Sequence, residues 1–335
     1  MRTEVARERV EGALLGCALG DALGLPMEGL TARQIAADFE PLDRFRLVGR
    51  RGFVSDDTEQ TALVAQSLLE GHDAAGVVRR FRHHLKWWVA RLPFGIGLAT
   101  LRAGLRLWFG FRRSGVPSGG NGAAMRAAII GVVVSDPGLR WAVVDGVSQV
   151  THTHPLAVEG ARYIAEAAAL LAADDERVDT VLRKALRAVQ NPALATAIEQ
   201  ALAAPDSLES AARIGTTGFV LHTVPLCAWA TRHANSPMEG IVRVIRVGGD
   251  TDTHAAIVGA LLGARFGAST LPSGLLAELH DGPFGPTHLR ALAAALTTGA
   301  APPRWSWAGA MARNLALYPV ILAHGFWRLL PRRRS

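Results

Sequence analysis

The sequence predicts an all-α protein with a single domain. Its 335 residues are 49% hydrophobic but only 6% aromatic. The apolar residues are mostly alanine and leucine, which favour closely packed helices over a β-sandwich. Alternating strand patterns are almost absent, and no repeat, low-complexity tract or long linker divides the chain. We therefore expect one helical domain over 1–335, in which the 35 glycines mark helix ends and motif turns.

The predicted helices follow one another with short connections. The first covers 3–20 and ends in the glycine-rich turn 20–29. The helix at 55–71 has the clearest boundaries, because Ser55 can cap its N-terminus and Gly71 its C-terminus. Residues 115–134 are predicted as a flexible loop that enters an apolar helix. Further helices are predicted at 74–90, 95–110, 138–150, 155–173, 175–189, 192–203, 217–233, 237–246, 251–266, 273–280 and 286–298. Residues 300–335 form a C-terminal helix, at 305–329 with a possible break at Pro319, and a basic tail.

The net charge of +7 is carried almost entirely by arginine, in clusters at 44–51, 79–91 and 332–335. One interpretation is attraction of nucleic acid or of a phosphate-bearing ligand. The other, which we favour, is a solvated arginine-rich surface. No nucleic-acid-binding motif accompanies the charge, so nucleic acid is not an expected partner.

The cysteine content and the apolar runs bear on the location of the protein. Cys17 and Cys227 lie far apart in sequence and indicate a reducing compartment without a disulfide framework. Three glutamates among the first eleven residues argue against a signal peptide. No uncharged apolar run reaches about 18 residues, so we expect no transmembrane helix. The expectation is a cytoplasmic monomer whose C-terminal helix packs on the core.

The stretch GGDTDTHAAIVGALLGARFG, at 248–267, predicts a buried helix that begins with Asp250 and Asp252. One aspartate is explained as a helix cap. Two carboxylates this close raise each other's pKa or require a positive charge. The stretch contains no lysine, and its only arginine, Arg265, lies several turns downstream, which leaves a cap and a bound cation equally open at this point.

A second acidic helix start is found in SDDT, at 55–58. If Asp56 and Asp57 face Asp250 and Asp252, four carboxylates and three hydroxyls converge, and such a cluster requires cations. Donors that are all oxygen suit Mg²⁺, Mn²⁺ or Ca²⁺ rather than zinc, and four carboxylates fit two ions about 3.5–4 Å apart. Glu28 lies in a turn from which its side chain can reach a cleft. Asp21 is interpreted as a turn or capping residue.

Two further motifs predict ligand contacts. In SGGNGAAMR, at 118–126, glycines allow close approach of the backbone, and the N–H groups at the start of a helix can hold a phosphate. This signal is weak alone, and no Walker motif follows it. In THTHP, at 151–155, two histidines lack a third soft ligand for zinc. Capping of the 155–173 helix or a polar contact to a ligand is the preferred interpretation. The pairs HH at 83–84 and WW at 87–88 are interpreted as packing and surface.

Five motifs in order make the chain resemble the ADP-ribosylglycohydrolases, the group that includes ADP-ribosylarginine hydrolase and the dinitrogenase-reductase-activating glycohydrolase. They are GALLGCALGDALGLPMEG, SDDTEQT, GNGAAMRAAIIG, THTHPLAVEGA and GGDTDTHAAIVGALLGA, between residues 12 and 264. The resemblance implies a compact orthogonal helical bundle with a central two-metal site, usually Mg²⁺ or Mn²⁺. No family-wide motif follows residue 270.

The resemblance also implies roles for individual residues. The implied metal ligands are Ser55, Asp56, Asp57, Asp250, Asp252 and Thr253, with Ser55 where many members carry threonine. The implied contacts to the diphosphate and its ribose are Ser118, Gly119, Gly120, Asn121, Gly122 and His152. Glu28, Asp57 and Asp252 are the implied catalytic residues.

The reaction implied is hydrolysis of the bond at C1″ of an ADP-ribosyl group on a protein side chain, with arginine favoured, or on a related conjugate. The variable stretch 72–117 is expected to contact the leaving group. Two alternatives belong to other classes, namely a non-catalytic ADP-ribose-binding member of the same fold and a nucleic-acid-binding protein. Every acidic position of the motifs is filled, which favours the enzyme.

Overall fold

The computed structural model describes residues 2–173 and 176–329, which form seventeen α-helices and no strand. In chain order these are α1 Arg2–Gly24, α2 Ala32–Asp38, α3 Asp56–Glu70, α4 Ala74–Val89, α5 Leu98–Trp108, α6 Ala128–Val133, α7 Pro137–Gln149, α8 Pro155–Ala173, α9 Val178–Lys184, α10 Pro192–Ala203, α11 Leu208–Ile214, α12 Val220–Arg232, α13 Pro237–Val247, α14 Thr251–Phe266, α15 Ser273–Glu278, α16 Pro286–Thr298 and α17 Trp307–Leu329. The all-α prediction is confirmed. The basic tail predicted at 332–335 lies outside the described residues, as does the first residue of the helix predicted at 175–189.

Several predicted boundaries were wrong, and the differences have local causes. Helix α1 runs four residues further than predicted, to Gly24, and continues as a short 3₁₀ helix at Leu25–Met27. Helix α2 was missed, although Thr31 and Gln34 form a reciprocal capping box at its start. The apolar helix expected within 115–134 is only the six residues of α6, and Pro319 does not break α17.

A seam of glycines joins α1 to α14. Gly12, Gly16, Gly20 and Gly24 follow one another at four-residue spacing and therefore share one face of α1. A Cβ atom on Gly16 would lie 2.1 Å from the carbonyl oxygen of Gly259, so the two antiparallel helices approach at a distance that only glycine permits. The expectation that glycines mark helix ends was therefore wrong for α1. The seam brings the start of α14 to the end of α1, where the Thr251 hydroxyl donates to the Gly24 carbonyl over 2.9 Å.

The segment Ala6–Met27, within and just after α1, is long and apolar enough to cross a membrane by length and composition, and it is the only such helix among the described residues. In the fold, 94% of the most apolar part of this segment is buried inside the protein. Its residues contribute to the main hydrophobic core, together with α14 and the helices around them. This is the behaviour of the central helix of a globular core.

Helix α17 packs back on the core, as predicted. Arg313 donates to Glu59 of α3, and the Asn314 amide donates to the carbonyl of Arg91 over 3.1 Å. Further along, the Tyr318 hydroxyl donates to the carbonyl of Pro93 over 3.3 Å. A ring nitrogen of His324 lies 2.7 Å from the carbonyl oxygen of Pro26. The last helix therefore contacts both α3 and the turn that carries Glu28.

Candidate active site

The two acidic helix starts face each other, as the sequence predicts. The Thr253 hydroxyl, in the first turn of α14, donates to Asp57 Oδ2 of α3 over 3.3 Å. The Ser55 hydroxyl reaches the same carboxylate oxygen at 3.3 Å. Two other hydroxyls of these motifs are engaged elsewhere, since Thr58 donates to Asp21 and Thr251 to Gly24. The starts of α3 and α14 thus form one polar cluster in the interior of the protein.

Asp21 also belongs to this cluster. The sequence indicated a turn or capping role but not which helix it caps. It lies inside α1 rather than in a turn, and it is completely buried. Its carboxylate accepts from the backbone N–H of Ser55 at 2.9 Å and from the N–H and hydroxyl of Thr58 at 3.1 and 2.5 Å. Burial raises its pKa to about 6, although these hydrogen bonds act in the opposite direction. Asp21 therefore caps α3 from a neighbouring helix.

Three acidic side chains form a group that could hold a cation. Glu28, Asp250 and Asp252 each offer a carboxylate oxygen, and these oxygens lie within 4.8 Å of one another. Asp250 is the N-cap residue of α14 but makes no capping hydrogen bond with its side chain. It accepts instead from the Asn121 amide at 2.6 Å. Ordinary capping therefore does not account for Asp250.

The carboxylates of the cluster form no salt bridge within the described part of the chain. Among the described residues, no ion pair includes Asp56, Asp57, Asp250 or Asp252. Burial, reinforced by neighbouring carboxylates, raises the pKa of Asp56, Asp57 and Asp252 well above its ordinary value. The Oδ1 atom of Asp57 is buried and accepts no hydrogen bond from the described residues. Such a group binds protons or cations.

A fully buried cation, Arg126, is joined to the cluster by hydrogen bonds through the Gln60 amide. Arg126 donates to Gln60 Oε1 over 2.8 Å, and the Gln60 amide donates to Asp56 Oδ2 over 2.9 Å. The other guanidinium nitrogen of Arg126 donates to the Thr151 hydroxyl. Arg126 thus connects Asp56 to the region of His152 without neutralising a carboxylate directly.

A cavity of about 570 Å³ opens over the acidic group. The predicted site residues that line it are Glu28, Asp56, Ser118, Gly120, Asn121, Gly122, His152, Asp250, Asp252 and Thr253. Three predicted residues do not line it, namely Ser55, Asp57 and Gly119. Ser55 and Asp57 lie below the surface of the cavity, and Gly119 packs against the ring of Phe219, 2.7 Å from where a Cβ would lie.

The glycine loop differs from the predicted helix start. It leads into a 3₁₀ helix at Asn121–Ala123 rather than into an α-helix. Two of its N–H groups are engaged within the protein, because Gly120 donates to the Ser118 hydroxyl over 3.2 Å and Asn121 donates to the Gly218 carbonyl over 2.9 Å. A Cβ on Gly122 would lie 2.7 Å from His152 Cε1, so close backbone approach at Gly122 is required.

The two histidines of THTHP have separate roles. His152 lines the cavity, and its Nδ1 lies 2.8 Å from the Thr151 hydroxyl. Burial, with a smaller contribution from Arg126, lowers the pKa of His152 to about 3, so its ring is neutral at physiological pH. His154 caps α8, where its Nδ1 accepts from the N–H of Leu156 over 3.2 Å. The preferred interpretation of this motif thus agrees with the structure.

Other lining residues lay outside the predicted motifs. One group comes from the connection before α5 and the first turn of α5, within 95–100, and another from Thr216–Gly218. Gly95 has a φ of +76°, and a Cβ there would lie 2.8 Å from Asp56 Oδ1. A Cβ on Gly218 would lie 2.9 Å from Asp250 Oδ2. The only local signal was the run GTTG at 215–218, since small residues permit close contact with a ligand.

Comparison with known proteins identifies the family. The ADP-ribosylglycohydrolase family profile matches residues 2–305. The chain belongs to the ADP-ribosylglycohydrolase family. An uncharacterized protein of Archaeoglobus fulgidus is 32% identical in an alignment of 295 positions that covers 83% of this chain and 93% of that one. The ADP-ribosylarginine hydrolase Tri1 of Pseudomonas putida is 30% identical over 80% of this chain and 73% of that protein.

Two further comparisons agree with this ADP-ribosylglycohydrolase assignment. The ADP-ribosyl-[dinitrogen reductase] glycohydrolase of Rhodospirillum rubrum is 27% identical over 81% of this chain and 90% of that one. A solved structure described as an ADP-ribosylglycohydrolase-related protein complex superposes with a TM-score of 0.67 and 29% identity, over 88% of this chain and 98% of that chain. The protein is therefore a glycosyl hydrolase with the fold of this family. Helix α17 lies beyond the part that the profile matches.

Proposed function

We propose that this ADP-ribosylglycohydrolase uses two Mg²⁺ or Mn²⁺ ions to hydrolyse the bond at C1″ of ADP-ribose attached to a protein side chain. The observation that carries the proposal is the group of buried carboxylates that form no ion pair with any described residue, beside a cavity with a glycine loop. Arginine is the favoured linkage, because a relative 30% identical to this chain is named an ADP-ribosylarginine hydrolase.

The residues present fit divalent cations. The unsatisfied Oδ1 atom of Asp57 and the converging oxygens of Glu28, Asp250 and Asp252 are hard donors, which suit Mg²⁺ or Mn²⁺. The residues proposed to hold the ions are Ser55, Asp56, Asp57, Asp250, Asp252 and Thr253. When bound, the ions would supply Lewis-acid polarisation and make a water molecule more acidic.

The proposal assigns the remaining catalytic and binding roles to individual side chains. Glu28 is exposed at the mouth of the cavity and is suited to position the attacking water and accept its proton. Asp252 lies deeper and is suited to stabilise the positive charge that develops on the ribose during cleavage. His152 is neutral, so it can offer a hydrogen bond to a ribose hydroxyl without adding charge near the arginine-linked carbon.

The part of 72–117 that can contact the leaving group is smaller than the sequence suggested. Of that stretch, only Gly95, Gly97, Leu98, Ala99 and Thr100 line the cavity. We propose that these residues select the linkage. A cytoplasmic location is part of the same proposal, and it is supported by Cys17 and Cys227, which are both buried and form no disulfide. That the protein is a monomer remains a prediction.

A panel of ADP-ribosylated substrates tests the proposal. ADP-ribose linked to arginine, to serine and to an acetyl group would each be incubated with the protein and Mg²⁺ or Mn²⁺, and released ADP-ribose would be measured. We expect release from the arginine conjugate, and none after chelation with EDTA. Tight binding of ADP-ribose without release from any conjugate would favour the non-catalytic alternative. Release that persists in EDTA would contradict the metal proposal.

A further inference from the structure

A cationic and aromatic surface lies at the end of α4 and α5, outside the cavity. Its tip is the segment 109–113, of which all five residues are exposed. Phe109 is 79% exposed and Phe111 is 55% exposed, and the next two residues are Arg112 and Arg113. Large apolar side chains this exposed at adjoining positions are characteristic of surfaces that contact a partner.

The charge around this tip has one sign. Between residues 74 and 135 the sequence contains ten lysines and arginines and no aspartate or glutamate. Arg91 and Arg126 of this set are buried in the interior. The others lie on α4, on α5 and at the tip, where Arg102, Arg112 and Arg113 are exposed and belong to none of the ion pairs of the described residues. The surface therefore fits an anionic partner.

The tip is held in place by α4. The Arg82 guanidinium donates to the Phe111 carbonyl at 2.9 Å and to the Ser114 hydroxyl at 3.0 Å. The rings of Trp87 and Trp108 meet edge to face with centroids 5.2 Å apart, and the Lys86 ammonium lies 4.6 Å from the Trp108 ring. These contacts fix the backbone while leaving the two phenylalanine rings outside the core.

We propose that this surface docks on a membrane that carries anionic lipids. Phe109 and Phe111 would enter the boundary between headgroups and acyl chains, and Arg112 and Arg113 would contact lipid phosphates. Trp87 and Trp108 add further exposed apolar ring surface beside the tip. Single-stranded nucleic acid could stack bases on the phenyl rings, but the exposed aliphatic side chains of Leu98 and Leu105 on the same face suit acyl chains rather than bases. A lipid surface matches the aromatic groups and the charge together.

Helix α5 relates this surface to the cavity. Leu98, Arg102, Leu105 and Phe109 are all exposed and follow the spacing of one helix face. Leu98 lines the cavity, so the stripe runs from the mouth of the cavity to the tip over roughly 16 Å. Docking would place the mouth beside the lipid surface. The inference depends on the surface alone and does not require the proposed reaction.

Cosedimentation with lipid vesicles tests the proposal. The protein would be mixed with vesicles of phosphatidylcholine alone or with about 30% phosphatidylglycerol. We expect binding to the anionic vesicles at least tenfold stronger than to the neutral ones, and weaker binding at about 0.5 M salt than at about 0.1 M. The double variants F109S/F111S and R112E/R113E should each lose at least tenfold in vesicle binding.

Matched controls separate the tip from general effects of charge and hydrophobicity. Leu208→Ser removes an exposed leucine from α11, and R33E/R177E makes the same change in net charge at two exposed positions elsewhere. Both controls should bind as the wild type does. Release of ADP-ribose from a soluble conjugate would be measured for every variant and should be unchanged, so failure of vesicle binding and failure of the proposed reaction are distinguishable.

Several results would contradict the membrane-docking proposal. Absence of wild-type binding to anionic vesicles, or equal binding by the tip variants, would overturn the proposal. It would also fail if the tip variants lost binding to a single-stranded oligonucleotide, to an acidic protein or to a second copy of the chain while vesicle binding stayed unchanged.

Discussion

The acids at the starts of α3 and α14 fall into two sets that the fold pairs differently. Glu59 of α3 has arginine partners and is called the compensated set; Asp56 and Asp57 of α3, with Asp250 and Asp252 at the start of α14, are called the uncompensated set. Glu59 accepts from the Trp88 indole at 2.6 Å and from the Arg91 guanidinium at 2.5 Å, and it also pairs with Arg313. Burial alone would raise the pKa of Glu59, but the two arginines hold it below its ordinary value. Asp56 and Asp57 have no arginine or lysine partner among the described residues, and burial raises their pKa.

The difference distinguishes a structural acid from a ligand-binding acid. Both sets contain buried acids, so burial does not separate them. What separates them is whether the fold itself supplies the positive charge, since an ionised carboxylate in the interior requires one. Glu59 receives its positive partners from Arg313 of α17 and from Arg91, two residues after the end of α4. Asp56 lines the cavity instead, where a cation can enter from solvent, and Asp57 lies just below its surface.

The largest expected effect is on the uncompensated set. Asp252→Asn removes a negative charge from the proposed metal ligands, so we expect hydrolysis to fall to the detection limit and the Mg²⁺- or Mn²⁺-induced rise in melting temperature to shrink. For wild type, metal at a hundredfold excess over its dissociation constant would stabilise by about 2.7 kcal/mol. The metal-free variant should be as stable as metal-free wild type or more so, because carboxylate repulsion decreases.

The control is Asp43→Asn, an exposed aspartate whose pair with Arg44 lies on the surface. It should leave both activity and the metal-induced shift unchanged. Full activity of the Asp252→Asn variant, with an undiminished shift, would remove Asp252 from the metal site.

The next largest effect concerns the compensated set. Arg91→Met should destabilise the protein by about 3 kcal/mol, because it removes a buried positive charge from Glu59 and leaves only Arg313. Urea unfolding measures this change. Arg50→Met is the matched control, since its exposed pair with Glu278 is worth about 0–1 kcal/mol. An equal loss in the two variants would contradict the distinction, whereas E59Q/R91M should recover part of the loss.

The sequence predicted the uncompensated set well because its signal is local. Two aspartates within three residues at the start of an apolar helix exceed what one cap requires, so Asp250 and Asp252 drew attention without any tertiary information. The compensated set has no such signal. Arg313 follows Glu59 by 254 residues, and only the fold brings them together. Asp21 was understood only in part for the same reason, because it caps a different helix.

The prediction of helices likewise succeeded where the signal lies within one stretch of sequence and failed where it does not. Long periodic segments such as α3 and α14 were predicted nearly to their ends, whereas α2 and α11, with seven residues each, carry too little periodicity to detect. The four-residue glycine spacing of α1 was visible in the sequence. Its meaning required the partner surface on α14, where Gly259 meets Gly16.

A smaller effect is expected at the edge of the uncompensated set. Glu28→Gln should lower kcat by about 100-fold, the scale of a lost general base, because the amide cannot accept the proton of the attacking water. Metal affinity should fall less than in Asp252→Asn, because Glu28 is exposed and Asp252 is buried. Calorimetric titration with Mn²⁺ measures this second quantity. An unchanged kcat would assign Glu28 to the surface.

The smallest effect is the dependence of metal stabilisation on pH. Burial raises the pKa of Asp21 to about 6 and that of Asp56, Asp57 and Asp252 in the same direction, above an unfolded value of about 4. A raised carboxyl pKa stabilises the metal-free fold fully below pH of about 4, and this contribution is lost as pH rises through the folded value. Cations compete with these protons, so the metal-induced rise in melting temperature should increase from pH 5 to pH 8.

Two buried histidines affect stability in the opposite direction as pH rises, so the measurement has to separate their contribution from that of the carboxylates. Burial lowers the pKa of His152 to about 3 and that of His288 to about 4, so both add stability as pH rises toward about 6.5. Their effect is common to the metal-bound and metal-free protein at each pH and cancels in the difference between the two melting temperatures. That difference should vary less with pH in Asp252→Asn than in wild type. A difference that is constant from pH 5 to pH 8 in wild type would mean that metal and protons do not compete for these carboxylates.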